Sequence, residues 1–215
     1  MKIGILVAMD CEYEHLALLD LNNLGKEVTV KRTGIGKVNA AMAATELIIN
    51  GKPDFIVSSG CAGGMLPGQQ VGDFVVASRT AYHDVWCGEP NEVGQVYGCP
   101  PSFAADPHML ETAEKVAGRY GHPVRFGMIC TGDQFFISTE EDDRIRRVHP
   151  EVLAADMESA AIAQVCDAYR VPFISLRIIS DIHSSDEVQK ETYEDFWSQL
   201  NAGRFSFLEE FVKEL

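Results

Sequence analysis

Two acidic residues in the last third of the sequence lie where a ligand site is expected. Glu158 stands at the predicted start of a helix, and Asp181 ends a segment that contains the apolar run Phe173–Ile179. A run of this kind is typical of a strand buried on both faces of a parallel sheet. Because open α/β sheets bind ligands at the carboxyl ends of their strands, both carboxylates are candidates for binding or acid–base chemistry.

Polar and small residues also follow three other predicted strands. They occupy residues 8–12 after the first strand, 58–64 (Ser-Ser-Gly-Cys-Ala-Gly-Gly) after Phe55-Ile-Val, and 130–137 after Gly127-Met-Ile. If these strands are parallel, the segments meet Asp181 at one edge of the sheet. That edge would combine carboxylates, aromatic surface and a glycine-rich turn at which a ligand can approach the backbone.

Each of these residues could also have a purely structural role. Glu12 and Glu158 could be first-turn residues that the helix dipole favours, and Asp181 could be a turn residue. Phe135 and Phe136 could belong to the core. Coincidence would have to place all of them at the same sheet edge, so a ligand site is the better interpretation.

A further glycine-containing turn, Gly34–Lys37, lies between a predicted strand and a predicted helix. It lacks the third glycine of the dinucleotide-binding motif because residue 39 is asparagine, and it is therefore only a weak indication of a cofactor. We predict no cofactor. The sequence contains no Cys-x-x-Cys, and its cysteines and histidines do not cluster at zinc spacings, so we predict no bound metal.

The composition is that of an ordinary globular chain. Its 215 residues are 46% hydrophobic and 23% charged, enough for one large domain with a core. The net charge of −14 argues against extended contact with nucleic acid phosphates. No apolar run reaches the roughly 18 residues of a membrane span, and the first strand begins without a secretory cleavage site. We expect a cytoplasmic protein that binds neither nucleic acid nor membrane.

Hydrophobic periodicity predicts alternating strands and helices. Strands are predicted over 2–8, 28–33, 53–59, 71–79, 82–86, 124–130, 152–155 and 172–180, and helices over 12–20, 37–50, 107–120, 140–148, 157–169 and 193–215, the last with a break near 201–203. A long loop is predicted over 85–103. The pattern predicts a single α/β domain over 1–215. The consecutive strands over 71–86 indicate a mixed, curved central sheet flanked by helices, in a three-layer sandwich.

Eight separated motifs together resemble one family. They are Met1–Met9 (MKIGILVAM), Gly34–Val38 (GIGKV), Gly60–Gly64 (GCAGG), Val71–Val76 (VGDFVV), Tyr82–Asp84 (YHD), Thr131–Phe135 (TGDQF), Asp156–Ala163 (DMESAAIA) and Ile179–Asp181 (ISD). Their order resembles that of the nucleoside phosphorylase superfamily, and the sequence is most similar to its branch of 5'-methylthioadenosine/S-adenosylhomocysteine nucleosidases. The resemblance implies a nucleoside phosphorylase-like fold and a place in methionine salvage.

The resemblance implies hydrolysis of the N-glycosidic bond of an adenine nucleoside that carries a 5'-thioether. The departing base must be protonated, and a water on the opposite face of the sugar must be deprotonated. Asp181 matches the family's acid to adenine N7, and burial would favour its neutral form. Glu12 matches the general base. Glu158 matches the carboxylate that accepts hydrogen bonds from both ribose hydroxyls.

The resemblance also implies the walls of the pocket. Met9 and Met157 match residues around the sugar and the thioether, and Gly63 lies where the backbone approaches the ligand. Phe135 matches an aromatic residue that stacks on adenine, and the backbone of Phe136 matches the group that reads the base edge.

Arg177 matches an arginine near the attacking water. An arginine in so apolar a strand is costly unless it is paired, so we expect a carboxylate partner. In the family, the region that corresponds to 85–103 contributes apolar residues across a homodimer interface to the neighbour's 5' pocket. A homodimer is therefore implied.

The sequence departs from the usual family pattern at three positions. Cys61 replaces a common serine, Asp156 replaces a common glutamate, and His183 stands where a small residue is usual. A thiol is a poor hydrogen-bond partner for water. Together with the poorly aligned loop over 85–103, these changes leave the preferred 5' substituent open.

Three other functions stay open at this point. A phosphorylase would need cations for phosphate, for which Arg32 and Lys37 are candidates, although Glu12 would place a negative charge beside that phosphate. A nucleosidase could act on another 5' substituent, such as that of futalosine. A non-catalytic nucleoside-binding module would have no use for a base at Glu12.

Overall fold

The computed structural model describes residues 1–21, 24–135, 139–182, 196 and 205–215. Its strands are β1 (Lys2–Val7), β2 (Glu27–Arg32), β3 (Phe55–Gly64), β4 (Phe74–Tyr82), β5 (Phe103–Ala104), β6 (Val124–Thr131), β7 (Val152–Asp156) and β8 (Phe173–Ile182). Its helices are α1 (Asp10–Leu16), α2 (Lys37–Gly51), α3 (Pro107–Ala117), α4 (Thr139–Val148), α5 (Ser159–Tyr169) and α6 (Ser206–Glu214). In this described part, no helix has both the length and the apolarity needed to cross a membrane.

Most predicted elements are present, and the differences lie where distant pairing overrides local sequence. The glycine-rich segment predicted as a turn after the third strand is itself strand, since β3 continues to Gly64 and pairs there with both β7 and β8. The separate strand predicted over 82–86 is wrong, because β4 ends at Tyr82. The short strand β5 was not predicted. About half of the predicted helix over 193–215, including the predicted break near 201–203, lies outside the described residues, and α6 occupies its last part.

Apart from the short strand β5, which pairs antiparallel with β4, the described strands form two parallel groups that run in opposite directions. One contains β1, β2, β3 and β8, and the other contains β4, β6 and β7. Antiparallel pairs β3–β7 and β4–β8 join the groups. The five strands β3, β7, β6, β4 and β8 therefore close into a ring, and the prediction of a mixed, curved sheet is confirmed.

Side chains of modest size fill the inside of this ring. The buried residues there come from all five strands: Ala62, Val75, Ala77, Ile129, Ala154 and Ile179. Helices α3 and α6 pack on one face of the sheet in a core rich in phenylalanine, and α2 and α5 pack on the other. These helices give the predicted three layers.

The premise that all the site-bearing strands are parallel was wrong for β6. Strand β6 runs opposite to β1, β3 and β8, because direction is set by its pairing with β4 and β7. The carboxyl ends still converge, since the end of β3 pairs with the end of β7 at Gly63–Ala155 and Gly64–Ala154. The two groups of strands thus point their carboxyl ends at one another.

Candidate active site

A pocket opens at this meeting point of strand ends. Its lining residues are Ala8, Met9, Glu12, Ile35, Cys61, Ala62, Gly63, Gln134, Phe135, Ala155, Asp156, Met157, Glu158, Ser180 and Asp181. The empty space between these residues is about 640 Å³, which includes solvent at the open mouth of the pocket. Seven of the predicted site residues line this pocket: Met9, Glu12, Gly63, Phe135, Met157, Glu158 and Asp181. Arg177 is not part of the lining, and Phe136 lies outside the described residues.

Glu12 is held at the start of α1 by three backbone N–H groups. Its Oε2 accepts from Ala8 and Met9, at 2.8 and 3.0 Å, and its Oε1 accepts from the N–H of Cys61 at 2.9 Å. The residue is only 2% exposed. Burial raises the pKa of Glu12, while the charge of Arg177 and the three N–H groups oppose that rise. Glu12 is therefore both an acidic residue in the first turn of α1 and a residue that lines the pocket.

Gly60 lets the backbone of β3 approach Glu12. Its φ is +137°, which favours glycine. A Cβ added at Gly60 would overlap Oε1 of Glu12. It would also lie 2.8 Å from Cδ of Glu12 and 3.1 Å from Nη1 of Arg177. Only a glycine leaves room for this carboxylate between the strand and the guanidinium.

Arg177 is the buried cation behind the pocket, and its carboxylate partner is Asp156. The Nε of Arg177 donates to Oδ2 of Asp156 at 2.7 Å, and Nη2 donates to the hydroxyls of Ser58 and Ser159 at 2.9 and 3.1 Å. The hydroxyl of Thr131 donates to the other oxygen of Asp156 at 2.6 Å. These bonds fix the guanidinium and satisfy its charge, as a buried arginine requires.

Glu158 lies at the entrance to α5 but does not cap it. The side chain makes no capping hydrogen bond; instead its Oε1 accepts from the N–H of Gly36 at 2.9 Å. Its Oε2 lies 4.0 Å from Nη2 of Arg177. Burial, and then the negative charge of Asp156, raise the pKa of Glu158 to about 7. The carboxyl is aimed at the pocket.

Asp181 reaches the pocket from within β8, so a turn role after the strand does not describe it. The pairing of β3 with β8 shifts by one residue near Ala62, and Asp181 then lies opposite Gly63. Bulges of this kind often re-aim side chains beside active sites. The hydroxyl of Ser180 donates to Oδ1 of Asp181 at 2.6 Å. Asp181 is 5% exposed.

The remaining walls are apolar or belong to loops. Phe135 lines the pocket and is 58% exposed, so its ring is not a core residue. Sequence reasoning missed Ile35 as a lining residue, and it included Gln134 only as part of the segment 130–137. Position 35 could have been found by the strand-end rule, since it follows β2, which neighbours β1.

The two basic side chains considered as phosphate ligands, Arg32 and Lys37, are paired with carboxylates outside the pocket. Arg32 forms an exposed ion pair with Asp10, and Nζ of Lys37 donates to Asp84 at 2.7 Å. Neither lines the pocket, and no other lysine or arginine among the described residues does. The described ranges also contain no group of three or more potential metal ligands.

Two of the three departures from the family pattern have a visible setting. The backbone N–H of Cys61 donates to Glu12. Burial, and then the charge of Glu12, raise the pKa of the Cys61 thiol well above its usual range. The thiol is therefore neutral near pH 7. Asp156 binds Arg177 as described. His183 lies outside the described residues.

The chain is similar to one superfamily of known proteins over most of its length. Residues 19–213 match the family model described as the phosphorylase superfamily, and the chain belongs to that superfamily. It is 39% identical over 212 residues to the 5'-methylthioadenosine/S-adenosylhomocysteine nucleosidase of Actinobacillus succinogenes, with 91% of each chain covered. It is 37% identical to that of Haemophilus influenzae strain PittGG, with 91% of this chain and 92% of the relative covered. Within the superfamily, the chain belongs to this nucleosidase family.

Solved structures agree with that assignment. The nucleosidase of Neisseria meningitidis in complex with methylthio-immucillin-A superimposes with a TM-score of 0.91 at 34% identity, over 100% of this chain and 99% of the other. The Streptococcus pneumoniae nucleosidase with the transition-state inhibitor MT-ImmA gives 0.91 at 30% identity, with the same coverage. The fold is the nucleoside phosphorylase fold.

Proposed function

We propose that the chain hydrolyses the N-glycosidic bond of 5'-methylthioadenosine and S-adenosylhomocysteine, releasing adenine and the thioribose in methionine salvage. The observation that carries the proposal is the placement of Glu12, Glu158 and Asp181 around one pocket. Each reaches it from a different element and has different partners. Membership of the nucleosidase family supports the same reaction.

In the proposed mechanism, three carboxyl groups divide the work. Asp181 donates a proton to N7 of adenine as the glycosidic bond breaks, so the base leaves neutral. Glu12 takes a proton from the water that attacks C1'. Glu158 accepts hydrogen bonds from the ribose hydroxyls, which fixes the sugar between the acid and the base.

The other residues shape the pocket. We propose that Phe135 stacks on adenine and that the backbone of Phe136 reads the base edge. Met9 and Met157 contact the sugar and the thioether, and Gly63 allows the backbone opposite Asp181 to approach the ligand. No step requires a metal or a cofactor.

We propose that Arg177 acts behind this pocket. Its charge, held against Asp156, opposes the burial-driven rise in the pKa of Glu12. A base must be ionised to accept a proton, so this guanidinium favours the form of Glu12 that the reaction needs.

Hydrolysis is favoured over phosphorolysis by charge. A phosphate nucleophile needs cations, whereas the pocket is lined by Glu12 and Arg177 is already paired with Asp156. The same buried base argues against a non-catalytic binding module. A third alternative, a different 5' substituent, is tested with the substrate panel below.

The test is adenine release from 5'-methylthioadenosine in phosphate-free buffer with a chelator, followed by chromatography. We expect full turnover, unchanged by added phosphate. Absolute dependence on phosphate would overturn the hydrolase proposal.

A panel of adenosine, methylthioadenosine, adenosylhomocysteine, futalosine and inosine would define the 5' group, and a preference for inosine would contradict the scheme drawn for adenine N7.

We also propose that the enzyme is a homodimer. Helix α2 carries exposed apolar side chains at Val38, Met42 and Ile49, exposed by 70%, 66% and 54%, and Ile35, just before this helix, lines the pocket and is 52% exposed. A group of exposed apolar side chains is typical of a protein interface. Sedimentation equilibrium at micromolar concentration should give the mass of two chains; a monomer would contradict the proposal.

Finally, we propose a single domain over 1–215 in the cytoplasm. All described strands belong to one sheet, which supports one domain. All six cysteines are free, which is usual for proteins of a reducing compartment. Limited proteolysis that yields two stable fragments would contradict the single domain.

A further inference from the structure

We propose that Asp133 is a positioning residue that fixes the base side of the substrate pocket to its ribose side. The proposal rests on the function proposed above. Gln134 and Phe135, the two pocket residues that follow Asp133, are called the base wall below. Asp133 itself does not line the pocket.

Asp133 is bonded to two other segments. Its Oδ1 accepts from the N–H of Lys37 at 2.8 Å, and its own N–H donates to Oδ2 of Asp84 at 2.9 Å. Nζ of Lys37 donates to the same Oδ2 of Asp84 at 2.7 Å and lies 3.9 Å from Oδ2 of Asp133. The three residues therefore close a ring of contacts outside the pocket.

The carboxylate of Asp133 supplies a cap that α2 lacks in its own sequence. The residue before α2 is Gly36, which has a φ of +93° and no side chain to accept from the first N–H groups of the helix. A carboxylate at this position is favoured by the N-terminal charge of the helix. Asp133 thus fixes the start of α2, although it lies 96 residues further along the chain.

The same turn holds the carboxylate proposed to bind ribose. The N–H of Gly36 donates to Oε1 of Glu158 at 2.9 Å, and the next N–H along the chain, that of Lys37, donates to Asp133. A Cβ on Gly36 would lie 3.0 Å from Oδ1 of Asp133. A movement of this turn away from Asp133 would therefore also displace the donor of Glu158.

The base wall is fixed from the other direction. Gly132 precedes Asp133 and packs directly on residues 83–84: an added Cβ would overlap the His83 ring and lie 2.9 Å from Cγ of Asp84. The N–H of Gly132 also donates to the carbonyl of Asp156 at 3.1 Å. Asp133 is the last residue before the base wall, so its two hydrogen bonds set where that wall starts.

The contacts of Asp133 are too exposed to contribute much to overall stability. The side chain of Asp133 is 44% exposed, and ion pairs at such exposure contribute little. We therefore expect its removal to weaken ligand binding much more than folding. This expectation separates a positioning role from a merely structural one.

The test compares Asp133→Ala with Asp133→Asn and with the control Asp54→Ala. Asp54 also accepts a hydrogen bond from a backbone N–H, that of Lys2 at 2.7 Å, but at the opposite ends of β1 and β3. Adenine is the binding probe, measured by titration calorimetry, and methylthioadenosine is the substrate for steady-state kinetics.

For Asp133→Ala we expect the Kd of adenine and the KM to rise by about five- to tenfold, with kcat within about threefold of wild type, because uniform binding is lost. Asp133→Asn keeps an oxygen acceptor for Lys37 and should lie within about twofold of wild type. Asp54→Ala should leave both constants unchanged. Melting temperatures of the two alanine variants should be similar.

The proposal is overturned if Asp133→Ala leaves KM and the adenine Kd unchanged, or if kcat alone falls. It is also overturned if Asp133→Asn is as impaired as Asp133→Ala. Should Asp133→Ala not fold, Asp84→Ala removes the other acceptor and must raise the adenine Kd in the same direction. A wild-type chain that binds adenine but does not hydrolyse methylthioadenosine would instead reject the proposed function, and the adenine titrations would still test Asp133.

Discussion

Replacing Glu158 with glutamine is expected to stabilise the folded protein at pH 8 while impairing its function. Burial, with the charge of Asp156, raises the pKa of Glu158 from its ordinary value of 4.5 to about 7. The folded state therefore holds a proton more tightly than the unfolded state does. Stability from this group is fully present below pH 4.5 and is lost as the pH rises through about 7.

The magnitude follows from the two pKa values. A rise from 4.5 to about 7, at roughly 1.4 kcal/mol per pH unit, corresponds to about 3 kcal/mol of unfolding free energy. Glutamine has the shape of the protonated acid, and its oxygen can still accept from Gly36. Glu158→Gln should therefore exceed wild type by up to about 3 kcal/mol at pH 8 and match it near pH 4.5.

Urea unfolding at pH 4.5, 6 and 8 measures this difference, provided that the slope of free energy against denaturant is the same for both proteins. The control is Glu151→Gln. Glu151 is a half-exposed glutamate paired with Arg79 at the surface, where we expect a change within about 1 kcal/mol.

The functional cost should be large. The two charge-assisted hydrogen bonds that we propose between Glu158 and the ribose would be weakened or lost, at roughly 1.5–3 kcal/mol each, so kcat/KM should fall by about a hundredfold or more. The reasoning is refuted if Glu158→Gln is less stable than wild type at pH 8, or if its stability gain is the same at pH 4.5 and pH 8.

Three further substitutions address the acid, the base and the space around them. Glu12→Gln should lower kcat by about 10²–10⁴-fold and leave the adenine Kd within a few-fold, as measured by titration calorimetry; equal loss of binding would make Glu12 structural. Because the pKa of Glu12 is raised by burial, wild-type kcat/KM should fall with decreasing pH already above the ordinary carboxyl range, as a pH–rate profile will report. Asp181→Asn cannot donate the proton, so single-turnover adenine release should slow by about 10²-fold or more, and an unchanged rate would remove Asp181 from the scheme. Gly60→Ala should reduce kcat/KM by at least about tenfold, since the new methyl would overlap Glu12; Gly68→Ala, at a φ of +82° with nothing within 4 Å, is the matched control for backbone strain alone and should keep wild-type kinetics.

Much of the fold could be predicted because its signals are local. The apolar run in β8 and the amphipathic pattern of α3 are set by residues within one element, and both elements occur where periodicity places them. The glycine-rich end of β3 could not be recognised as strand. Its strand conformation depends on partners at least 90 residues away, at Ala154–Ala155 and Ile178–Ile182.

The site was predictable where a strand end places a residue and not where two distant residues meet. The strand-end rule led to Glu12 and Asp181, although its assumption of parallel strands failed for β6. The contact of Gly36 with Glu158, 122 positions apart, has no local signal. The individual roles that we propose come from the family resemblance, because composition and periodicity do not indicate them.

The charge of the pocket favours the proposed reaction. Arg177 is balanced by Asp156, so Glu12 and Glu158 give the pocket a negative potential when they are ionised. A ribosyl group that develops positive charge in the transition state is stabilised by such carboxylates, and more strongly where water is excluded. A phosphate nucleophile would be repelled by the same groups. The burial that raises the pKa of Glu158 thus lowers the free energy of unfolding of the ligand-free protein. The same burial strengthens the interaction of Glu158 with a cationic transition state. Both effects come from one arrangement of carboxylates around one guanidinium.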